Sequence, residues 1–516
     1  MLSLLIFLPV LGALLIGFIK KEREDDIKRI ALLISLLVFF FSVGLFLTHD
    51  PAIAGMQFEE HVPWIAQLGV GYHIGMDGIS LFLVLLTTLL VPILLFAPWE
   101  AVKSRVKLFV MMILILETAV IGVFVSLDLI LFYIFWEAML IPMYFLIGIW
   151  GGARGSYAAI KFFLYTMTTS VLMLVAIIVL YIQSGTFDLI ALSHMDMGLT
   201  AQMWLFAAFV AAFAVKIPLW PFHSWLPDAY SEAPTSGTIL LSAIMSKAGL
   251  YGLLRFGLTL FPNALMEFAP YLLALAVIGV VYGALVAWVQ KDLKRLIAYS
   301  SISHLSLVAI GILAFVAIPG SAGLLYESGS EISLSGAVMQ MVNHGIIIAA
   351  LFLVLAILWD RFGKRGIEDF GGLAKHMPRF MILFLIAMLG SVALPGTSGF
   401  VGEFLILLGA FMTKYQTYAI IAATIAILSA VYMLWMTRRV FHGPVKEELI
   451  PKMKDLSASE SWTLVPLIVL ILVMGIFPNL LLDRISPSVE ELLTHASERS
   501  IESMNLEISG SEEAGQ

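Results

Sequence analysis

The chain has 516 residues, of which 61% are hydrophobic and only 13% charged, against roughly 45–50% and 25% in soluble domains. That balance excludes a soluble globular protein. The net charge of −7 gathers partly in an acidic end and offers nothing to nucleic acid. The absence of cysteine excludes disulfides, thiolate-held iron–sulfur clusters and catalytic thiols.

At roughly 20 apolar residues per crossing, the sequence predicts an all-α polytopic membrane protein of about fourteen helices. The spans fall near 2–19, 29–48, 79–97, 107–126, 128–149, 159–183 and 203–221 in the first half. The second half adds 235–257, 269–289, 295–317, 333–358, 379–413, 419–440 and 461–482. Residues 1–482 form one membrane domain, and 483–516 an acidic C-terminal tail with no assigned role. The first run carries its positive residues, Lys20 and Lys21, after the apolar stretch, which is the reverse of a cleavable leader. The lysine-free and arginine-free loop from His49 to Asp77, rich in Gly and Pro, reads as a small hairpin.

Alternating the loops between two sides puts every Lys and Arg on one side except Lys216, Lys247, Arg255, Lys414, Arg484 and Arg499. Positive residues in short loops mark the cytoplasm, so both termini are expected on the outer side of a bacterial cytoplasmic membrane.

An ionisable residue inside a span costs roughly 2.5–3.5 kcal/mol on insertion scales and is read first as functional. Glu137, Lys216, Lys247, His304, His344 and Glu403 are the candidates, with Glu117, His223 and Asp228 as secondary ones. Each has a plainer reading. The lysines can snorkel, and the histidines and carboxyls can make helix–helix hydrogen bonds. His223, Asp228 and Glu232 lie near a helix end and can be interfacial. Proton transfer needs this mixture, because burial and neighbouring charges bring lysine, histidine and carboxyl groups within exchanging range of one another. Glu137 beside Lys216 would hold a proton there, and its withdrawal would send that proton toward Lys247.

Two spans are expected to break. Lys216-Ile-Pro-Leu-Trp-Pro221 loses two amide donors, and Leu394-Pro-Gly-Thr-Ser-Gly-Phe-Val-Gly-Glu403 combines proline with three glycines. Freed backbone groups at membrane depth are tolerated only against protein or a water-lined cavity. The breaks, in the seventh and twelfth helices, lie five helices apart. This suggests inverted repeats of helices four to eight (107–257) and nine to thirteen (269–440).

The runs Phe135-Trp-Glu-Ala-Met-Leu-Ile-Pro-Met-Tyr144, Lys216-Ile-Pro-Leu-Trp-Pro-Phe-His-Ser-Trp-Leu-Pro-Asp228 and Asp292-Leu-Lys-Arg-Leu-Ile-Ala-Tyr-Ser300 resemble the antiporter-like subunits of respiratory complex I, NADH-quinone oxidoreductase. The resemblance covers nearly the whole chain. Glutamate at 403, where the sibling subunits L and N place lysine, favours the M branch, equivalent to mitochondrial subunit 4. Residues 483–516 leave no room for the long lateral helix of the L branch.

The resemblance implies a fourteen-helix, non-redox subunit of a proton-translocating oxidoreductase, flanked by subunits L and N in the bilayer. Glu137 resembles the fifth-helix glutamate, Lys216 its paired lysine and Lys247 the central lysine. His304 and His344 are similar to the connecting histidines, and Glu403 to the exit residue. Tyr230 departs from relatives that carry histidine there. No nucleotide, flavin, cluster or metal site is recognisable, so no cofactor is expected in this chain. Three alternatives stay open: a subunit of a multisubunit cation/proton antiporter or membrane-bound hydrogenase, a stand-alone secondary transporter, and a haem carrier ligated by His304 and His344.

Overall fold

The computed structural model describes residues 1–97, 102, 104–318 and 325–514, with side chains as far as 501. Lys103, one of the charges expected on the cytoplasmic side, lies outside the described residues, as do the last two residues of the acidic tail. Long apolar runs become helices because only a helix satisfies every backbone group within its own segment when no water is available. Among the described residues twelve helices are long and apolar enough to cross a membrane. With α1 (Leu2–Gly17) and a broken pair counted as one span each, the fourteen expected spans are all found.

In chain order these are α1, α2 (Glu24–Thr48), α3 (Gly78–Phe96), α4 (Val106–Val125), α5 (Leu129–Trp150) and α6 (Gly155–Ser184). Helix α7 runs over Leu199–Lys216 and resumes as Trp225–Glu232, and α8 covers Thr235–Leu260. Then come α9 (Pro262–Trp288), α10 (Leu293–Leu313), α11 (Ser328–Phe362) and α12, split into Pro378–Ser391 and Ser398–Phe411. Helices α13 (Gln416–Phe441) and α14 (Ala458–Ile476) complete the spans. Between α2 and α3 the expected hairpin is present, β1 (Gln57–Ile65) antiparallel to β2 (Val70–Met76).

Both predicted breaks are real. Pro218 and Pro221 cannot donate, so carbonyls at the end of the first half of α7 take other partners. Ala214 O accepts from Leu219 N at 2.9 Å, and Val215 O accepts from the Trp225 indole at 2.9 Å. In α12 the interruption turns through Gly396 at φ +91°, a backbone setting that favours glycine. Helix α8 is interrupted more gently, by π-type stretches at Leu240–Met245 and Leu253–Gly257 on either side of Lys247. Such stretches within helices concentrate at functional positions.

Helices α8, α10 and α11 are the innermost, with 100%, 94% and 94% of their apolar windows buried, so Lys247, His304 and His344 on them have no route to lipid or headgroups by snorkelling. The second half of α12 crosses α11 at very short range. A Cβ at Gly409 would stand 2.3 Å from Ser333 N and 2.6 Å from Gly329 O, both backbone atoms that cannot step aside. Gly409→Ala is expected to cost about 1–3 kcal/mol through overpacking. The readout is the fraction of this subunit retained on native gels after mild heating, which should fall below wild type.

The acidic end is helical, α15 (Asn479–Ala514). Its Ile485, Val489, Leu493 and Ala496 are buried at helical spacing against the bundle. Ser488 Oγ ties it to the hairpin side, accepting from Gly78 N at 3.0 Å and donating to Ala54 O at 2.9 Å.

Candidate functional site

The three inner helices and the second half of α12 bring four of the six candidates into one line. Lys247 Nζ lies 2.8 Å from His344 Nδ1 and donates to Ser242 O at 2.7 Å, inside the first π-type stretch. Across a ring-centroid distance of 6.0 Å, His344 faces His304. His304 Nδ1 in turn lies 2.8 Å from Glu403 Oε1. Gln340 Nε2 donates to the same carboxylate oxygen at 3.2 Å. Asn343 joins Gln340 to Ser398 O at the α12 break, with bonds of 3.4 and 2.7 Å.

Between the two histidines lies a cavity of about 10 Å³, lined by Ser300, His304, Gln340, His344 and Glu403. That is about the space one water requires. The Nε2 atoms of His304 and His344 are buried with no hydrogen-bond partner among the described residues. One water touching both would join Lys247–His344 to His304–Glu403.

The chemistry of these contacts is reversible by construction. A protonated lysine donates to His344 Nδ1, and a neutral lysine accepts from it once the ring carries a proton there, so one 2.8 Å contact serves both directions. Neutral imidazole moves a proton by gaining it at one nitrogen and losing it at the other.

Lys216 sits at the last turn before the α7 break, 1% exposed, with Nζ 5.1 Å from the Trp136 ring centroid and 5.7 Å from that of Phe162. Its Nζ has no hydrogen-bond partner among the described residues. The backbone comes against α8, where a Cβ built on Gly249 would stand 3.0 Å from Lys216 Cβ. Glu137 is within electrostatic reach of Lys216 but makes no ion pair with it. Here the structure corrects the expectation of a deeply buried carboxylate. Glu137 is only half-buried, on the face of α5 that also exposes Ile134, Ile141 and Phe145, with Tyr133 and Ser170 beside its carboxyl. Helical spacing puts these residues on one stripe turned outward from the bundle.

The secondary candidates separate. Glu117 on α4 is 1% exposed and both its oxygens lack partners among the described residues. Asp228 is held by Lys161 at 2.8 Å and Arg295 at 3.3 Å, an ion-pair cluster at the loop end of α6, the second half of α7 and α10. His223 stacks edge-on against Tyr282, ring centroids 5.1 Å apart. Neither Asp228 nor His223 joins the Lys247–Glu403 line. Tyr230 is fully buried on the second half of α7.

One buried pair was not visible in the sequence. Arg255, counted above as an outer-side charge, is 4% exposed and ion-paired to Asp77, the residue that caps α3. Burial works against the Asp77 carboxylate, but Arg255 and the bonds from Ser80 outweigh it and hold its pKa below the usual value. The pair's contribution is therefore present above about pH 4 and is lost only as pH falls through that lowered value.

The fold and this line define a membrane-embedded helical bundle with lysine, histidine and carboxylate groups gathered in its interior. The profile of the family described as NADH:quinone oxidoreductase/Mrp antiporter, TM, matches residues 126–429. NADH-quinone oxidoreductase subunit M of Rhodobacter capsulatus is 42% identical over 96% of each chain. NADH-ubiquinone oxidoreductase chain 4 of Arabidopsis thaliana is 41% identical, covering 96% of this chain and 97% of that one. A chain of respiratory complex I from Thermus thermophilus with bound NADH superposes with TM-score 0.83 at 30% identity, over 96% of this chain and all of its own. The Mrp complex from Dietzia sp. DQ12-45-1b shares the fold, TM-score 0.82 at 19% identity, over 97% and 99% of the two chains. The chain belongs to the NADH:quinone oxidoreductase/Mrp antiporter family, as an antiporter-like, membrane-arm subunit of the M type.

Proposed function

We propose that this chain moves protons across a bacterial cytoplasmic membrane as a non-redox subunit of NADH-quinone oxidoreductase. Antiporter-like subunits L and N lie on either side, and both termini face outward. The observation that carries this reading is the line Lys247–His344–His304–Glu403 through the interior of the bundle, two bonded pairs separated by one water-sized cavity. Lys216 and Glu137 stand at its loading end. Moving one charge against 100 mV takes roughly 2.3 kcal/mol. This chain brings no cofactor to supply that energy, which arrives from electron transfer in partner subunits. Glu117, buried near the same helices, is a reserve carboxyl of the path.

Glu137 acts from the side. A neighbouring subunit that covers its face of α5 strengthens its interaction with Lys216 by excluding water, and one that draws it away frees the Lys216 proton to pass toward α8. The test is proton pumping by the whole complex in vesicles carrying Lys216→Ala or Glu137→Gln, with assembly and quinone reduction followed alongside. Assembled complexes should lose pumping at least about tenfold, as expected for a placed proton-transfer group, and turnover should fall with it. Wild-type pumping and turnover in both variants would sink the reading.

A further inference from the structure

On the outer face, far from the Lys247–Glu403 line in sequence, a second cluster of titratable groups gathers around the hairpin. His61 of β1 and His73 of β2 are direct cross-strand partners in the register. Their rings stack at 4.3 Å between centroids with planes 11° apart. Asp188, from the loop joining α6 to α7, hydrogen-bonds His73 Nδ1, and Glu59 Oε1 lies 2.9 Å from His73 Nε2. One ligand atom each from His61, His73 and Asp188 can be chosen so that all lie within 4.8 Å of one another. We propose that His61, His73 and Asp188 form a binding site for a divalent transition-metal ion of the zinc class.

The donor set is the right kind. Two imidazoles and one carboxylate suit zinc, copper and nickel, and three protein ligands leave a fourth position for water. Around a zinc ion the ligand atoms sit about 3.3 Å apart, given bonds of roughly 2.0–2.1 Å, and an imidazole holds the ion in its own ring plane, so the His61 ring must turn out of its stack on His73 to close the set. His61 is exposed and free to move, whereas His73 is 3% exposed and fixed. Glu59 completes the arrangement. With Nδ1 of His73 on the metal, Nε2–H donates to the Glu59 carboxylate, the outer contact that orients metal-bound histidines. Glu59 and His61 share one short strand, but His73 and Asp188 come from separate segments, so no local spacing announces the site.

Its position gives the ion something to do. Asp188 caps the one-turn helix Leu189–Ser193 that leads toward α7, and Asp128 caps α5 while accepting from Gly71 N of β2 at 2.9 Å. Backbone bonds from Leu127 N to His73 O, Leu129 N to Phe187 O and Leu189 N to Leu127 O stitch the same three segments together. A metal here clamps the outer ends of the segments feeding α5 and α7, the helices that carry Glu137 and Lys216. Metal binding would stiffen the pair whose relative movement the proposed mechanism uses, so the ion acts as a brake. That consequence rests on the proposed function; the binding site does not.

The experiment separates the two. The intact complex is stripped with a chelator, equilibrated with micromolar zinc chloride and desalted, and the retained zinc is measured by mass spectrometry. Wild type should keep about one zinc per complex more than His61→Ala, a change at an exposed side chain, and more than Asp188→Asn, which preserves the cap. His61→Asp, which restores a ligand, should keep the extra ion. Glu59→Gln should bind it about 10–100-fold more weakly. Equal zinc in wild type, His61→Ala and Asp188→Asn overturns the site. Zinc bound at the site with no zinc-dependent slowing of pumping overturns only the brake.

Discussion

Lys247→Arg should give a complex that assembles, keeps the positive charge on α8 and pumps almost no protons. Lysine and arginine are equivalent as fixed cations but not as proton carriers, because the guanidinium stays protonated under any condition a protein meets. Lys247 is fully buried, with His344 Nδ1 at 2.8 Å and Ser242 O at 2.7 Å as its acceptors. If its task were to satisfy those acceptors, arginine, with five donors, would serve. If its task is to release a proton to His344, arginine blocks the line and pumping falls about 10²-fold, the lower end of what a placed proton-transfer group contributes. Lys247→Met fills similar volume without a charge and should fail in the same way. Pumping is read as acidification of vesicles containing native-sized complex. Arginine at near wild-type rates would make Lys247 a structural cation and remove the centre of the proposed path.

The spans and both breaks were legible because membrane burial imposes long apolar runs, and because proline at 218, 221 and 395 forbids an unbroken helix whatever its neighbours are. The inventory of intramembrane charges was legible for the same reason, each being costly enough to stand out. Which charge meets which was not. Lys247 with His344, and His304 with Glu403, are contacts across about a hundred residues, and nothing local encodes them. Glu137 shows the limit well. Its helix was evident, but α5 is hydrophobic all round, so sequence gave no stripe to say that the carboxyl faces outward. The helical acidic end was missed because its mean hydropathy is low. Ile485, Val489, Leu493 and Ala496, recurring every three or four residues, were the signal available.

Asp77→Asn should cost this subunit more stability than any other single change outside the proton line. Asp77 does two jobs with two oxygens. Oδ1 caps α3, accepting from Ile79 N at 3.1 Å and Ser80 N at 2.9 Å, and Oδ2 receives the Arg255 guanidinium. Asparagine is as good a cap as aspartate, so the substitution isolates the second job. It leaves a guanidinium 4% exposed, with the Tyr251 hydroxyl at 3.3 Å as its remaining hydrogen-bond partner among the described residues. Breaking a buried pair by removing one charge costs about 3–5 kcal/mol, whereas replacing both charges by apolar groups is often neutral. Asp77→Asn should therefore release the subunit from the complex at markedly lower temperature. Asp77→Asn combined with Arg255→Met should recover most of the loss, and Asp77→Ala should exceed Asp77→Asn by about 1 kcal/mol for the missing cap. Retention on native gels after graded heating measures all three. The pair, 178 residues apart in sequence, lines a 340 Å³ cavity together with Glu491 and His495 of α15. If the double variant is no better than Asp77→Asn, the loss lies in that cavity's packing and not in the unpaired charge.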